Sequence, residues 1–457
     1  MAATSKPCEA PVAEIAPRLA TAVPRYTSYP TAPHFHAGIT AERVAGWLSG
    51  LAAGEAVSLY IHIPYCDKLC WFCACHTKHT RRYEPVTEYL AALDGEIAAV
   101  SRLVGERVRV RALHLGGGSP TMLAPDDLRA LGARLRGAFA FAPDAEVSIE
   151  IDPNDMDEGR LDAMADFGMT RASLGVQDFD PRVQDAINRH QSFALTRSVV
   201  EGLRARGVGS VNLDLLYGLP HQTEESLAAT IDSALSLAPD RIALFGYAHV
   251  PWFKKHQTMI PEAALPGTEA RYAQALLAAR RIEAAGYAPI GMDHFALPGD
   301  RLAVAAREGR LARNFQGYTD DPCATLIGLG PSSISRFAEG YAQNVADIGN
   351  YQRAVAGRGL ATARGIAFSE EDRARGWVIE RLMCDFAFSA AEAARRFGAT
   401  GRALVAEAER HLRDDGLLVR HGDRFVVTAA GRPLVRTVAA RFDGYLAAGT
   451  ARHSLAV

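Results

Sequence analysis

Four of the chain's seven cysteines, Cys66, Cys70, Cys73 and Cys75, fall in the single run YIHIPYCDKLCWFCACHTKH at 60–79. The alternating residues 58–63 just ahead of them read as a strand that Pro64 ends, so the fold must deliver several thiols to one end of a sheet. Spacing then selects the metal. A structural zinc site closes four positions with two separated pairs of ligands, whereas CxxxCxxCxC has no second pair, because Cys323 and Cys384 stand alone. Three soft thiolates from one tight loop suit three irons of a [4Fe-4S] cube and leave the fourth iron without a protein ligand. Two other readings stand beside it: zinc on Cys70, Cys73, His76 and His79, and a CxxC redox pair, which lacks a thioredoxin-like βαβ context here.

Charge and cysteine usage narrow the partners. Lys+Arg 50 against Asp+Glu 52 leaves a formal net charge of -2, so no global basic field exists to hold nucleic acid by its phosphates. Clustered cysteines beside the isolated Cys8, Cys323 and Cys384 fit a metal site in a reducing compartment, which points to the cytoplasm, and not a disulfide framework. The amino terminus is rich in Ala and Pro, carries Glu9 and Glu14, and lacks the apolar core of a signal peptide; residues 1–23 read as a mobile tail. No run approaches the roughly 18 apolar residues of a membrane helix, so no membrane is expected as a partner.

From Ser58 onward a βα rhythm sets in. Strand-like runs at 58–63, 111–115, 146–151, 171–176, 211–216 and 241–245 are separated by helical periodicity at 86–103, 125–139, 158–167, 196–206 and 224–237. Such units imply an α/β fold with a parallel sheet covered by helices, curled by right-handed crossovers into a partial (β/α)6, TIM-like barrel. Polar residues gather at the strands' carboxyl ends, where such a barrel keeps its active site. The first strand leads to the cysteines and the second to Gly116-Gly117-Gly118-Ser119; the third carries Glu150 and Asp152, the fourth leads to Gln177 and Asp178, the fifth carries Asp214, and the sixth leads to Tyr247-Ala248-His249. The glycine run is either a tight βα turn or bare backbone for close approach of a ligand's polar end. Beside the cysteines, Glu150 reads best as a carboxylate gripping ribose hydroxyls.

Around this barrel the chain divides simply. Residues 24–57 hold an extended arm, PRYTSYPTAPHF, and a helix; the arm either packs over the surface or serves as a ligand lid. After a helix at 268–285, the stretches 292–295, 313–318 and 328–332 read as inserts that close over a site, so barrel and inserts span 58–368. From 369 to 457, helices and a hairpin around His421-Gly422-Asp423 form a mostly helical, winged-helix-like unit that packs over the barrel opening in preference to binding DNA.

Longer stretches carry a resemblance. PRYTSYPTA at 24–32, YIHIPYCDKLCWFCAC at 60–75, GGGSPT at 116–121, SIEIDP at 148–153, GVQDF at 175–179, DLLYGLP at 214–220, IGMDHF at 290–295 and RNFQGYT at 313–319 together resemble the oxygen-independent coproporphyrinogen III oxidases (coproporphyrinogen dehydrogenases) of the radical S-adenosylmethionine (SAM) superfamily. The resemblance implies one [4Fe-4S] cluster on Cys66, Cys70 and Cys73, and two SAM molecules. Tyr60, Gly117, Glu150 and Ile334 would hold the first; Phe72, Gly118, Ser119, Gln177, Arg189, Asp214 and Ala248 would hold the second; Cys75 would be catalytic. It also implies the chemistry: a 5′-deoxyadenosyl radical takes a β-hydrogen from a propionate of coproporphyrinogen III, carbon dioxide and an electron leave, and two rounds give protoporphyrinogen IX for haem biosynthesis. A low-potential donor such as flavodoxin or ferredoxin would supply electrons to a monomer. Arg25, Lys254, Lys255, Arg313 and Arg336 are candidates for the substrate's carboxylates. The chain departs from the family's pattern at Ser119, where threonine is common, and at CACH, where glycine and asparagine often follow the third cysteine.

A second class shares the cluster motif: haem chaperones that bind and transfer haem. Those relatives usually have phenylalanine at the fourth cysteine and lack the arm, so Cys75 and Tyr26 to Thr31 favour the oxidase. A nucleic-acid-modifying radical enzyme would want a basic surface or an RNA-binding domain, and the near-neutral charge opposes it.

Overall fold

The computed structural model describes residues 21–446, so the expected tail lies, up to residue 20, outside the described residues. Strands β1 (Glu55–Ile63), β2 (Val108–Gly117), β3 (Ala140–Ile151), β4 (Arg171–Gln177), β5 (Ser210–Tyr217) and β6 (Arg241–Gly246) pair side by side in parallel. Helices Glu84–Val104, Pro125–Ala138, Glu158–Phe167, Phe193–Ala205, Glu224–Ser236 and Thr268–Ala284 cross between them or follow the last. Their starts are marked in the sequence. Asp157, Ser192 and Thr223 each accept a hydrogen bond from a first-turn backbone N–H that would otherwise go unpaired. The six expected βα units are therefore present, each strand longer than its apolar core alone suggests.

The stretch 328–332, expected to be an insert, instead begins inside the sheet. β7 (Thr325–Leu329) pairs in parallel with the other edge of β1, Gly328 lying opposite Tyr60. Glycine reads as a breaker in sequence, but a Cβ at 328 would come within 2.8 Å of the Ile334 carbonyl, so its role here is close backbone packing. Antiparallel strands Ile334–Arg336, Gly340–Asn344 and Thr362–Ala367 continue the sheet beyond β7, and His294–Ala296 and Ala288–Ile290 continue it beyond β6. The result is a twelve-stranded sheet, curled as a partial barrel.

A buried carboxylate fastens β7 to the helical layer. Glu96 accepts from the Gly330 and Tyr351 N–H and O–H groups, each at 2.7 Å, and from Asn344 Nδ2 at 2.6 Å. Glu96→Ala orphans two interior donors, the Gly330 N–H and the Tyr351 O–H, while Asn344 keeps Gly330 O and Ser333 Oγ, and urea melts should show a loss of about 3–5 kcal/mol. Burial pushes this carboxyl up to about 7, against an ordinary 4.5. The folded state thus holds the proton more tightly; the associated stability is full below about 4.5, is lost as pH rises through 7, and that slope disappears in the variant.

Beyond Ser369, which caps helix Glu370–Asp385, a second helical stretch Ala390–His411 packs with a small sheet of Ala387–Ser389, Arg424–Val427 and Leu418–His421. The arm is wedged into this unit. Tyr26 and Tyr29 join its apolar core, Tyr26 O–H donates to Asp443 at 3.0 Å, and Tyr29 Oη accepts from the Gly444 N–H at 3.0 Å. Both tyrosines are thus anchors, and Arg25, just ahead of Tyr26, reaches Gly246 O at the end of β6, 3.0 Å away.

Candidate active site

Residues of β1 to β5 alternate, with Leu59, Ile61, Leu113, Leu115, Val147, Ile149, Leu174 and Leu213 buried in the main apolar core. The opposite face is polar. The register aligns Tyr60, His114, Ser148 and Arg171 across four strands, and Glu150, Ser173 and Asn212 one step nearer the carboxyl ends. A parallel sheet is ordinarily apolar on both faces; a barrel interior that carries these residues is built to hold a ligand. Tyr60 stacks on His114 at 5.8 Å, and His114 Nε2–H donates to Glu150 Oε1 at 3.2 Å. Glu150 also accepts the Gly117 N–H at 3.0 Å. Burial alone would raise the Glu150 pKa, but His114 and Gly117 outweigh it and keep the carboxyl below its usual range. On the next strands Asp214 accepts from Ser173 Oγ at 3.1 Å and Asn212 Nδ2 at 2.8 Å; burial, then the Glu150 charge, raises its pKa.

The cysteine loop leaves β1 at Pro64 and is closed at its neck, where Cys66 lies opposite His79. Its carbonyls are tied from outside. Asn188 Nδ2 donates to Leu69 O, Gln257 Nε2 to Phe72 O, His256 Nε2–H to Cys73 O and Lys254 Nζ to Cys75 O, all within 2.7–2.9 Å. Below the loop, burial pushes His62 down to about 4; the neutral ring accepts from Tyr60 O–H at 3.0 Å and donates to His76 O at 2.8 Å. Gly117, at φ 111°, admits this ring where a Cβ would lie 2.5 Å from it, and a Cβ on Gly118 would strike Tyr65 O at the same distance. The glycine run therefore lets the second strand end against the cysteine loop.

The thiols of Cys66, Cys70 and Cys73 interact electrostatically with one another, and burial pushes Cys66 up to about 12. Arg189 lies against Cys70, its Nη1 3.6 Å from Sγ, and the Cys75 N–H donates to Cys73 Sγ at 3.3 Å. His76 Nε2–H is turned to Ala346 O at 2.7 Å, away from the zinc arrangement the sequence allows. Among the described residues, no three His, Cys, Asp or Glu side chains converge on one ion-sized point. Three half-buried thiols on one loop, with Arg189 against Cys70, instead fit a larger cationic group that takes them as thiolates at separate corners.

Several expected neighbours meet and several do not. Gln177, at φ 66°, and Arg189 come together over Gly175, where a Cβ would lie 3.0 and 3.2 Å from their nitrogens. Arg189 does not pair with Asp214: its Nη1 donates to Asp152 at 2.8 Å and its Nη2 to Gly175 O at 2.5 Å, leaving Nε buried without a partner. Ser119 is buried with its hydroxyl on Asp155 and Thr121, each 2.7 Å away, so it offers a ligand no free side chain. Phe72 packs near Val183, Leu216 and Tyr247, and Gln257 joins its carbonyl to that of Ala248. Ile334 lies across Gly328 from Tyr60. The loop supports at 254–257 and the role of His114 carry no sequence signal beyond their polarity.

Past the ends of β5 and β6 a cavity of ≈ 460 Å³ separates the barrel from the C-terminal unit, with Ala248, Arg25, Arg271, Asp293, Arg432 and Arg436 in its walls. Of the five cations expected to meet substrate carboxylates, Arg25 alone lines it. Lys254 holds the cysteine loop, Lys255 begins a short 3-10 turn, and Arg313 and Arg336 line clefts on the far side of the arm.

Residues 60–234 match the family model of the radical SAM superfamily, and residues 368–434 match that of the HemN C-terminal domain. The chain is 48% identical over 437 residues to the oxygen-independent coproporphyrinogen III oxidase of Bradyrhizobium diazoefficiens, covering 95% of this chain and 97% of that one. The protein of the same name from Paracoccus denitrificans is 47% identical over 438 residues, covering 95% and 96%. A solved structure, described as coproporphyrinogen III oxidase (HemN) from Escherichia coli, a radical SAM enzyme, superposes with a TM-score of 0.88 at 39% identity, covering 92% of this chain and 98% of its own.

Proposed function

Because this chain belongs to the oxygen-independent coproporphyrinogen III oxidases, radical SAM enzymes of haem biosynthesis, we infer that its polar barrel interior is where two propionates of coproporphyrinogen III become vinyl groups. When bound, the [4Fe-4S] cluster and SAM supply the radical that removes a propionate hydrogen. Cys66, Cys70 and Cys73 hold the cluster. Tyr60, Gly117, Glu150 and Ile334 seat one SAM, and Phe72, Gly118, Gln177, Arg189, Asp214 and Ala248 seat a second, with Ser119 contributing through its backbone. Glu150, kept ionised by His114, accepts hydroxyl hydrogens. The tied cysteine loop fixes the cluster over this face, and the C-terminal unit limits water at the reacting end.

The observation that carries the reading is three half-buried thiols on one loop at the carboxyl ends of the strands that bear Glu150 and Asp214. Anaerobic incubation of the reconstituted protein with coproporphyrinogen III and SAM should give the divinyl product by mass. An intact cluster with no decarboxylation, or haem transfer in its place, would overturn it. Cys75→Ala should keep its iron content and lose about nine-tenths of turnover or more, since its N–H and thiol lie against Cys73; undiminished turnover removes Cys75 from the mechanism. A low-potential flavodoxin or ferredoxin as donor, a monomeric state and the cytoplasm suit an exposed thiol chemistry that must stay reduced. Among the described residues no helix is long and apolar enough to cross a membrane.

A further inference from the structure

We propose that the arginine-lined cavity between β6 and the C-terminal unit is the coproporphyrinogen III pocket, in which Arg25, Arg271, Arg432 and Arg436 take the propionates and Asp293 takes the pyrrole N–H groups. The inference rests on the activity above and adds the residues that read its substrate. At ≈ 460 Å³ the cavity falls inside the range of about 300–1,000 Å³ typical of small-molecule sites. Tyr272, Leu276, Met292 and Phe386 give it apolar walls suited to a macrocycle, and Gly246, opposite Tyr217, joins it to the carboxyl ends of β5 and β6, three residues beyond Asp214.

Arg271 and Arg436 are buried, and Arg25 partly so. Arg25 donates to Gly246 O at 3.0 Å, Arg271 Nη2 to Tyr247 O at 2.6 Å, and Arg436 Nε to Pro24 O at 3.0 Å. These carbonyls orient the guanidinium groups. Arg271 Nε is buried with no partner at all. Burial, followed by the nearby arginines, pushes Arg436 down to about 9, and burial moves Arg25 and Arg271 in the same direction. Desolvated like charges of this kind favour a ligand that brings several carboxylates. Arg432, exposed at the rim, is held over the Phe386 ring at 4.9 Å.

Two carboxylates line the same space, Glu283, exposed, and Asp293. Asp293 accepts from His294 Nδ1–H at 2.6 Å and stays ionised: burial would raise it, but His294, Arg313 and Arg25 hold it below its usual range. A porphyrinogen carries four pyrrole N–H donors at its centre and carboxylates at its periphery, the inverse of this lining. The cleft at the strands' amino ends differs, because its arginines already have acids: Arg241 with Asp300 at 2.8 Å and Arg171 with Glu146 at 3.0 Å.

Anaerobic equilibrium dialysis of the reconstituted holoenzyme against coproporphyrinogen III, and separately against the dicarboxylate protoporphyrinogen IX, tests the assignment. Arg432→Gln should raise the tetracarboxylate Kd about tenfold and the dicarboxylate Kd by less than about threefold, because only a carboxylate contact is lost. Asp293→Asn should raise both by about tenfold, since both ligands present the same N–H groups. Equal shifts for the two ligands in Arg432→Gln, or no shift in either variant, overturn the pocket while wild-type binding keeps the functional reading. A wild-type holoenzyme that fails to bind coproporphyrinogen III overturns both.

Discussion

Cys66→Ala, Cys70→Ala and Cys73→Ala should each abolish the [4Fe-4S] absorption and SAM cleavage, with product formation expected to fall by more than about a thousandfold. Each thiolate is asked to hold one iron, and the loop has no spare. Cys75 is not a substitute, because its N–H donates to Cys73 Sγ at 3.3 Å, which keeps it beside an existing ligand. The loss should be chemical and not structural. The loop's neck is closed by backbone bonds, Lys78 N–H to Pro64 O at 2.7 Å and Thr80 N–H to Cys66 O at 3.0 Å, which no cysteine side chain supports. Melts of the apo variants should therefore stay within about 1 kcal/mol of wild type. Iron and sulfide analysis with EPR on anaerobically reconstituted protein reads the result. Full iron content in any one variant, or zinc without iron in the active wild type, would sink the assignment.

What the sequence makes legible here is what local periodicity encodes. The strand-like runs of β1 to β6 and the helical periodicity between them are properties of adjacent residues, so the barrel units could be counted and their polar ends located. β7 was hidden because five residues containing Gly328 look like a turn until Tyr60 is known to lie opposite. Side-chain partners were hidden for a different reason. Arg189 is drawn to Asp152 because β3 and the turn after helix Pro181–Ile187 bring them together, and Ser119 is drawn to Asp155 by the same folding of loops; no spacing in sequence encodes either choice. The cavity's arginines were the least legible. Arg271 and Arg436 sit in helical segments where an arginine ordinarily reads as a solvated face, but Arg271 lies against Gly218 and Tyr247 past the strand ends and Arg436 against Pro24 of the arm.

Asp214→Asn should lower divinyl product by about a hundredfold while sparing the cluster and the SAM bound at iron. Two propionates each lose a hydrogen, and each SAM consumed accounts for one, so a second seat on the same face serves the second round. Arg189 is unsuited to probe that seat, since it touches Cys70 and is committed to Asp152. Asp214 is held by Ser173 and Asn212 and lies opposite Gly175, two residues beyond the level at which Glu150, Ser173 and Asn212 align. Asparagine keeps an acceptor for Ser173 but removes the charge that an amine or ribose hydroxyl would meet. The expected binding result is two equivalents of labelled SAM in wild type and one in the variant, by anaerobic equilibrium dialysis. A thermal melt must accompany it: with the local hydrogen bonds largely retained, the stability change should stay within about 1 kcal/mol. Two equivalents in the variant, or turnover at the wild-type rate, would remove Asp214 from the second site; a large fall in melting temperature with proportionate loss of all SAM binding would make its role structural.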